Sequence, residues 1–160
     1  MGVIFFDDDR LNREYGRFWM AFNALELILR VFLARKQGLG TAEIERFLEG
    51  KLGESVPDCP MTDYRSFSKL CLDYNGCVAL VDQIDFSSIL SLRDAMAHGR
   101  VTAKSAESGL YVIKYDSPRD GSTIVSYRQE LTPAFMRNMV SRIEKAAKSI
   151  TNEMNKYMKA

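Results

Sequence analysis

The chain has 160 residues, 46% of them hydrophobic and 27% charged, with 22 Lys and Arg against 21 Asp and Glu. That length is close to the commonest size of one domain and allows roughly 70% of the unfolded surface to be buried without disulfide staples, and the composition is too apolar for a disordered chain. A net charge of +1 excludes a basic surface over the whole protein and confines any nucleic-acid contact to a local patch.

The N-terminus, MGVIFFDDDR, lacks a basic segment followed by an apolar run, so no secretory signal is predicted. Phe6 stands where a myristoylation motif needs Ser or Thr. Asp7, Asp8 and Asp9 suit the positive end of a helix. A long helix is predicted from about Asp9 to Lys36, with Phe18, Phe22, Leu25, Leu29 and Phe32 at three- and four-residue steps and Gly38 and Gly40 ending it. Leu27, Ile28, Val31 and Leu33 fill other sides of the same cylinder. A helix so apolar needs cover on more than one face, from its own chain or from a second subunit. Glu26 and Arg30 interrupt its apolar run, so it does not span a bilayer. They are also spaced as an (i, i+4) ion pair.

Thr41 reads as the N-cap of a shorter helix through Ile44, Phe47, Leu48 and Leu52 to Gly53. Pro57 and Pro60 then mark a loop. Thr62 or Asp63 can cap a third helix through Phe67, Leu70 and Cys71, pausing at Asn75-Gly76, with a further turn from Cys77 to Val81. Asp85, Ser87 or Ser88 can cap a fourth, carrying Ile89, Leu90, Leu92 and Met96 and ending at Gly99.

Beyond Gly99 the pattern changes to β-branched and aromatic. Leu110–Tyr115 and Thr123–Tyr127 predict an antiparallel hairpin across DSPRDG, with a short strand near Val101 to Ala103. Thr132-Pro133 starts a last helix to about Tyr157, with Phe135, Met139, Ile143, Ala147, Ile150 and Met154 on one face. The fold class is therefore mainly α: an up-and-down bundle of four to five helices in one domain over 1–160, with a small antiparallel β-hairpin at about 109–128 inserted before the C-terminal helix. The expected setting is soluble and cytoplasmic, with no membrane contact. Cys59, Cys71 and Cys77 are expected as reduced, small buried hydrophobes.

His98 is the sole histidine, so a Cys/His zinc site is not expected. No phosphate-cradling glycine loop, H-E-x-x-H or G-x-S-x-G is present, and no metal or cofactor is assigned. The chemistry-bearing stretch is Leu92-Arg-Asp-Ala-Met-Ala-His98-Gly-Arg100. Asp94 and His98 are separated by about 40° on a helix, Arg93 and His98 by roughly 140°. The latter two meet on one ligand if the last turn unwinds, or if a second subunit completes the site. Imidazole can move a proton near neutral pH, and guanidinium can hold a phosphate through paired hydrogen bonds. The plainer alternatives are a helix-capping His98 and an Arg93 paired with Asp94 or Glu26. Arg100, Lys104 and Lys114 form either a basic rim or a solvated charge scatter. Tyr111, Tyr115 and Tyr127 either stack bases or pack as strand residues. Arg137, Arg142, Lys145, Lys148, Lys156 and Lys159 mix with acids as a solvated face, and Met136, Met139, Met154 and Met158 read as adaptable core or a partner groove.

The R-polar-x-x-x-H signature Arg93-Asp94-x-x-x-His98, followed by Gly99, resembles the HEPN superfamily. Asn23-Ala-Leu-Glu26-Leu-Ile-Leu-Arg30 is similar to the N-x-L-E-x-x-L-R pattern of several of its branches. The resemblance covers about residues 10–100 and the closing helix. It implies a homodimer with two R-x4-H motifs in one cleft, many relatives being metal-independent endoribonucleases of toxin–antitoxin, phage-defence or RNA-processing systems. Carried over, Arg93 contacts the scissile phosphate, His98 is general acid or base, Asp94 orients one of them, and Glu26 and Arg30 pack near the motif. Some branches keep the fold as binding or assembly domains, so the implied partners are a second copy, RNA, an antitoxin or another protein.

Overall fold

The computed structural model describes residues 9–103, 110–118 and 120–157. The expectations for the N-terminal segment before Asp9, and for Lys104, Met158 and Lys159, lie outside that range. The elements run in the order α1 (Asp9–Lys36), α2 (Thr41–Leu48), α3 (Phe67–Cys77), a 3₁₀ turn (Leu80–Asp82), α4 (Ser87–His98), β1 (Arg100–Ala103), β2 (Leu110–Tyr115), β3 (Val125–Leu131) and α5 (Pro133–Tyr157). The protein is mainly helical, with a three-stranded antiparallel sheet in the order β1-β2-β3 ahead of the last helix. Among the described residues no helix is long and apolar enough to cross a membrane.

The chain divides into two compact units, residues to Phe22 with Ser87–Arg142, and Asn23–Phe86 with residues from Ile143 onward. Helices α1 and α5 each contribute to both. In the first unit, Phe18 and Phe22 of α1, Leu92 of α4, Val112 of β2 and Met136 of α5 are buried. In the second, Leu25, Leu29 and Phe32 of α1 are buried, as are Leu70 and Tyr74 of α3 and Ile150 of α5. The apolar girth of α1 is only partly covered: Leu33 is buried, Ile28 and Val31 are half-buried, and Leu27 is exposed.

The long helices form where the periodicity places them, whereas the caps of α2 and α3 depart from expectation. Thr41 is the first residue of α2, not its cap; Gly40 is the N-cap, and its amide donates to Glu43 Oε2 at 2.6 Å. The helix ends at Leu48, a turn before Gly53, and Leu52 is exposed. Glu54 draws this segment back, accepting from the Lys51 amide and pairing with Arg46. Neither Thr62 nor Asp63 caps α3. Ser66 does, accepting from the Lys69 amide at 3.3 Å. The reason is competition: Thr62 donates to the Pro57 carbonyl, and Asp63 is held by two arginines. The helix also runs through Asn75-Gly76 instead of pausing, because the Asn75 amide bonds both backbone groups of Ile84.

In the sheet, β3 begins at Val125 rather than Thr123 and continues to Leu131, with a register irregularity at Lys114/Tyr115. Thr132 caps α5, its Oγ1 accepting from the Phe135 amide at 3.1 Å. The buried face of α5 is rotated from the expected one: Met136, Met139, Val140, Ile143, Ala146, Ile150 and Glu153 are buried, while Phe135, Ala147 and Met154 are half-buried. All three cysteines are free thiols. Cys71 is buried as expected, but Cys77 is exposed and Cys59 half-buried.

Candidate functional site

Helix α4 stays helical through His98 and stops there because of what Gly99 meets. A Cβ on Gly99 would lie 2.3 Å from the Ala95 carbonyl oxygen and 2.6 Å from that of Ile113. These are backbone atoms that cannot swing away, so only glycine lets the helix end press against β2. The Gly99 amide donates to Ala95 at 2.7 Å, and Arg100 then enters β1 opposite Ile113. Thus the glycine after the histidine has a local structural cause.

This junction leaves His98 outside: its side chain is 68% exposed, with Nε2 3.8 Å from Asp94 Oδ1. That separation is an electrostatic contact and too long for a hydrogen bond. The Asp94 carboxylate, half exposed, pairs through its other oxygen with Lys114 Nζ. The lysine arrives from β2, where it shares a face with the buried Leu110 and Val112. A lysine in step with buried strand positions must find a partner or a route to water. That alternation signals that Lys114 needs a partner without naming Asp94; the residues alone left Lys114 as part of either a basic rim or a solvated charge scatter.

Arg93 is half-buried. Since α4 does not unwind before His98, the two remain roughly 140° apart around its axis. Arg100 is exposed, its guanidinium 5.7 Å from the centroid of the Tyr115 ring. The structure therefore brings together Asp94, His98 and Lys114, with Arg100 two residues on. The arrangement offers a proton-exchanging ring open to solvent, a carboxylate to bias its orientation, and nearby cations for an anionic ligand.

Glu26 and Arg30 belong to the other unit. The Arg30 side chain, 14% exposed, donates to Glu26 Oε1, to the carbonyls of Pro60, Asp63 and Arg65, and to Asp63 Oδ1. Arg65 in turn grips Asp63 and Asp73, and Lys69 adds a second cation to Asp73. Burial alone would raise the Asp63 carboxyl, but hydrogen bonds from Arg65 and Arg30 outweigh it and hold the group below its ordinary range. For Asp73 the Lys69 hydrogen bond leads, followed by that of Arg65 against partial burial, and the result is also downward. Burial, reinforced by the Glu26 charge, pushes the Cys71 thiol up to about 12, so it is an inert core group. These residues close on one another and fasten the loop at 60–65.

Beside this clamp lies an open groove of about 890 Å³, lined by residues that include Lys36, Arg65, Asp73 and Cys77. Its charged lining is already engaged: Arg65 with Asp73, and Lys36 with the Tyr157 ring at 3.5 Å. Among the described residues no group of three or more His, Cys, Asp or Glu is arranged to hold a metal ion. Comparison of the chain with family models, with curated proteins and with solved structures finds no match.

Proposed function

We propose that this chain is an HEPN-like endoribonuclease that cleaves RNA without a metal ion. The ribose 2′-oxygen attacks the adjacent phosphorus, a new P–O bond forms, and the bond to the 5′-oxygen breaks. The products are a 2′,3′-cyclic phosphate and a 5′-hydroxyl. His98 takes the 2′-hydroxyl proton or gives one to the leaving 5′-oxygen, water serving as the other proton carrier, while Arg93 holds the phosphate charge and Asp94 orients the imidazole. The carrying observation is the solvent-open His98 ring at the end of α4, beside a carboxylate that Lys114 fixes in place.

The active form on this reading is a homodimer in which Arg93 of one copy works with His98 of the other. The regular last turn of α4 supports this arrangement, because it keeps the two residues of one copy on different sides of the helix. Met20 of α1, 63% exposed, supplies apolar surface for a second copy. A cytoplasmic toxin or phage-defence nuclease restrained by an antitoxin is the setting that fits such an activity. The test incubates total RNA in EDTA with the wild type and with His98→Ala and Arg93→Ala. Cleavage by the wild type that both variants lose is the expected result; equal activity in all three ends the reading.

The same angular separation favours one other reading if the protein is monomeric: a non-catalytic helical domain that binds a partner protein or a nucleotide. Light scattering separates the two, since a clean monomer removes the shared cleft.

A further inference from the structure

The sheet has two unlike faces. Opposite residues of an antiparallel pair share a face, and residues two apart along a strand do likewise. One face carries Leu110, Val112 and Lys114 of β2 and Leu131 of β3; the two leucines and the valine are buried, and Lys114 reaches Asp94 of α4. The pairs Arg100↔Ile113, Ile113↔Arg128 and Tyr111↔Glu130 put those side chains on the other face, with Tyr115 two residues beyond Ile113.

That outer face interleaves aromatics with planar cations. The Arg128 guanidinium lies 5.1 Å from the Tyr111 ring centroid, and Arg100 lies 5.7 Å from that of Tyr115. Arg100, Arg128 and Tyr115 are exposed, and Tyr111 and Ile113 are half-buried. Two guanidiniums stand against one carboxylate, that of Glu130. Tyr111 and Tyr115 are about 13 Å apart along the strand. A guanidinium stacks on aromatic rings and also pairs with phosphate oxygens, so each Tyr–Arg couple can take a base against its flat surface and a phosphate at its rim. Arg100 on this face follows His98 by two residues, within about 8 Å from Cα to Cα, while the imidazole lies beside Asp94, whose partner Lys114 belongs to the inner face.

We propose that the outer face of the sheet is a binding track for single-stranded RNA, its bases stacking on Tyr111 and Tyr115 and its phosphates paired by Arg128 and Arg100, which delivers the strand to His98. A duplex hides its base faces and cannot use such a platform, so the substrate class is unpaired RNA. RNA is taken as the ligand from the nuclease reading above, and the experiment separates the two claims.

Binding is measured by fluorescence anisotropy with the full-length His98→Ala chain and a short labelled single-stranded RNA, so that cleavage does not intrude. Tyr111→Leu and Tyr115→Leu are each expected to weaken binding about fivefold or more, while Tyr115→Phe retains it. Arg128→Ala is expected to weaken binding and to reduce the slope of log K against log salt by about 0.7 for each phosphate the side chain no longer neutralises. Circular dichroism verifies that each variant is folded. No binding, binding indifferent to both tyrosines, or equal binding of the same sequence as a duplex overturns the track. Tyrosine-dependent binding in a chain that cleaves nothing supports the track and overturns only the nuclease reading. Cleavage indifferent to both tyrosines removes the track and leaves that reading standing.

Discussion

The Arg30 clamp and the His98 site use overlapping residue types to opposite ends. Around Arg30 the guanidinium has found two carboxylates and three carbonyls, and Arg65 and Lys69 close the remaining acids. Around His98 the imidazole stands in solvent, 3.8 Å from a carboxylate whose strong partner is a lysine. A closed network spends its hydrogen bonds on holding a loop. An open one keeps donors for something that arrives from outside. The difference teaches that exposure separates the two regions more than residue type does: the His98 side chain is 68% exposed and the Arg30 side chain 14%.

The comparison can be broken most sharply at the junction that supports the open site. Gly99→Ala forces a Cβ into two backbone carbonyls and is expected to cost about 3 kcal/mol, read as a lower melting temperature together with loss of any His98-dependent cleavage. Next is the clamp. Arg30→Met removes the hydrogen bonds that Arg30 gives to Glu26, Asp63 and the loop carbonyls, with Arg65 still holding Asp63; discounted for partial solvent access, a loss of about 2 kcal/mol is expected in urea unfolding.

Acid should act on the clamp third. Asp63 and Asp73 both have lowered carboxyls, so their contribution is complete above the unfolded value, near pH 4, and is lost as pH falls through the lowered folded values. Melting temperature should therefore decline below about pH 4, and the Asp63→Asn, Asp73→Asn double variant should be less stable at neutral pH with a flatter acid decline. Least affected in stability is Asp94→Asn, at an exposed pair, expected within about 0.5 kcal/mol of the parent. On the proposed reading it nevertheless lowers RNA cleavage, and a drop in rate at constant melting temperature would sharpen the contrast between the two regions.

Much of this architecture was legible because its signals are local. The end of α1 at Lys36, the end of α4 at Gly99, the start of α5 at Thr132-Pro133 and the strand character of 110–115 follow from periodicity, capping and side-chain shape within a few residues. What failed depended on distant partners. Thr62 and Asp63 look like caps until Pro57, Arg30 and Arg65 claim them, and Thr41 yields to Gly40 because Glu43 folds back on that amide. At the candidate site, Asp94 and His98 were readable as one helix face. The Lys114 contact was not, since it crosses from a strand twenty residues away. Arg30 was readable as a partner of Glu26, but its grip on Pro60, Asp63 and Arg65 requires the loop to be folded.

Whether the exposed imidazole does chemistry on RNA is the central question, and the most direct measurement is the end-group analysis of RNA incubated with the purified chain in EDTA. Wild-type protein is expected to leave 2′,3′-cyclic phosphate and 5′-hydroxyl termini that His98→Ala does not produce. Intact RNA with the wild type, or the same termini at the same rate from the variant, would contradict it.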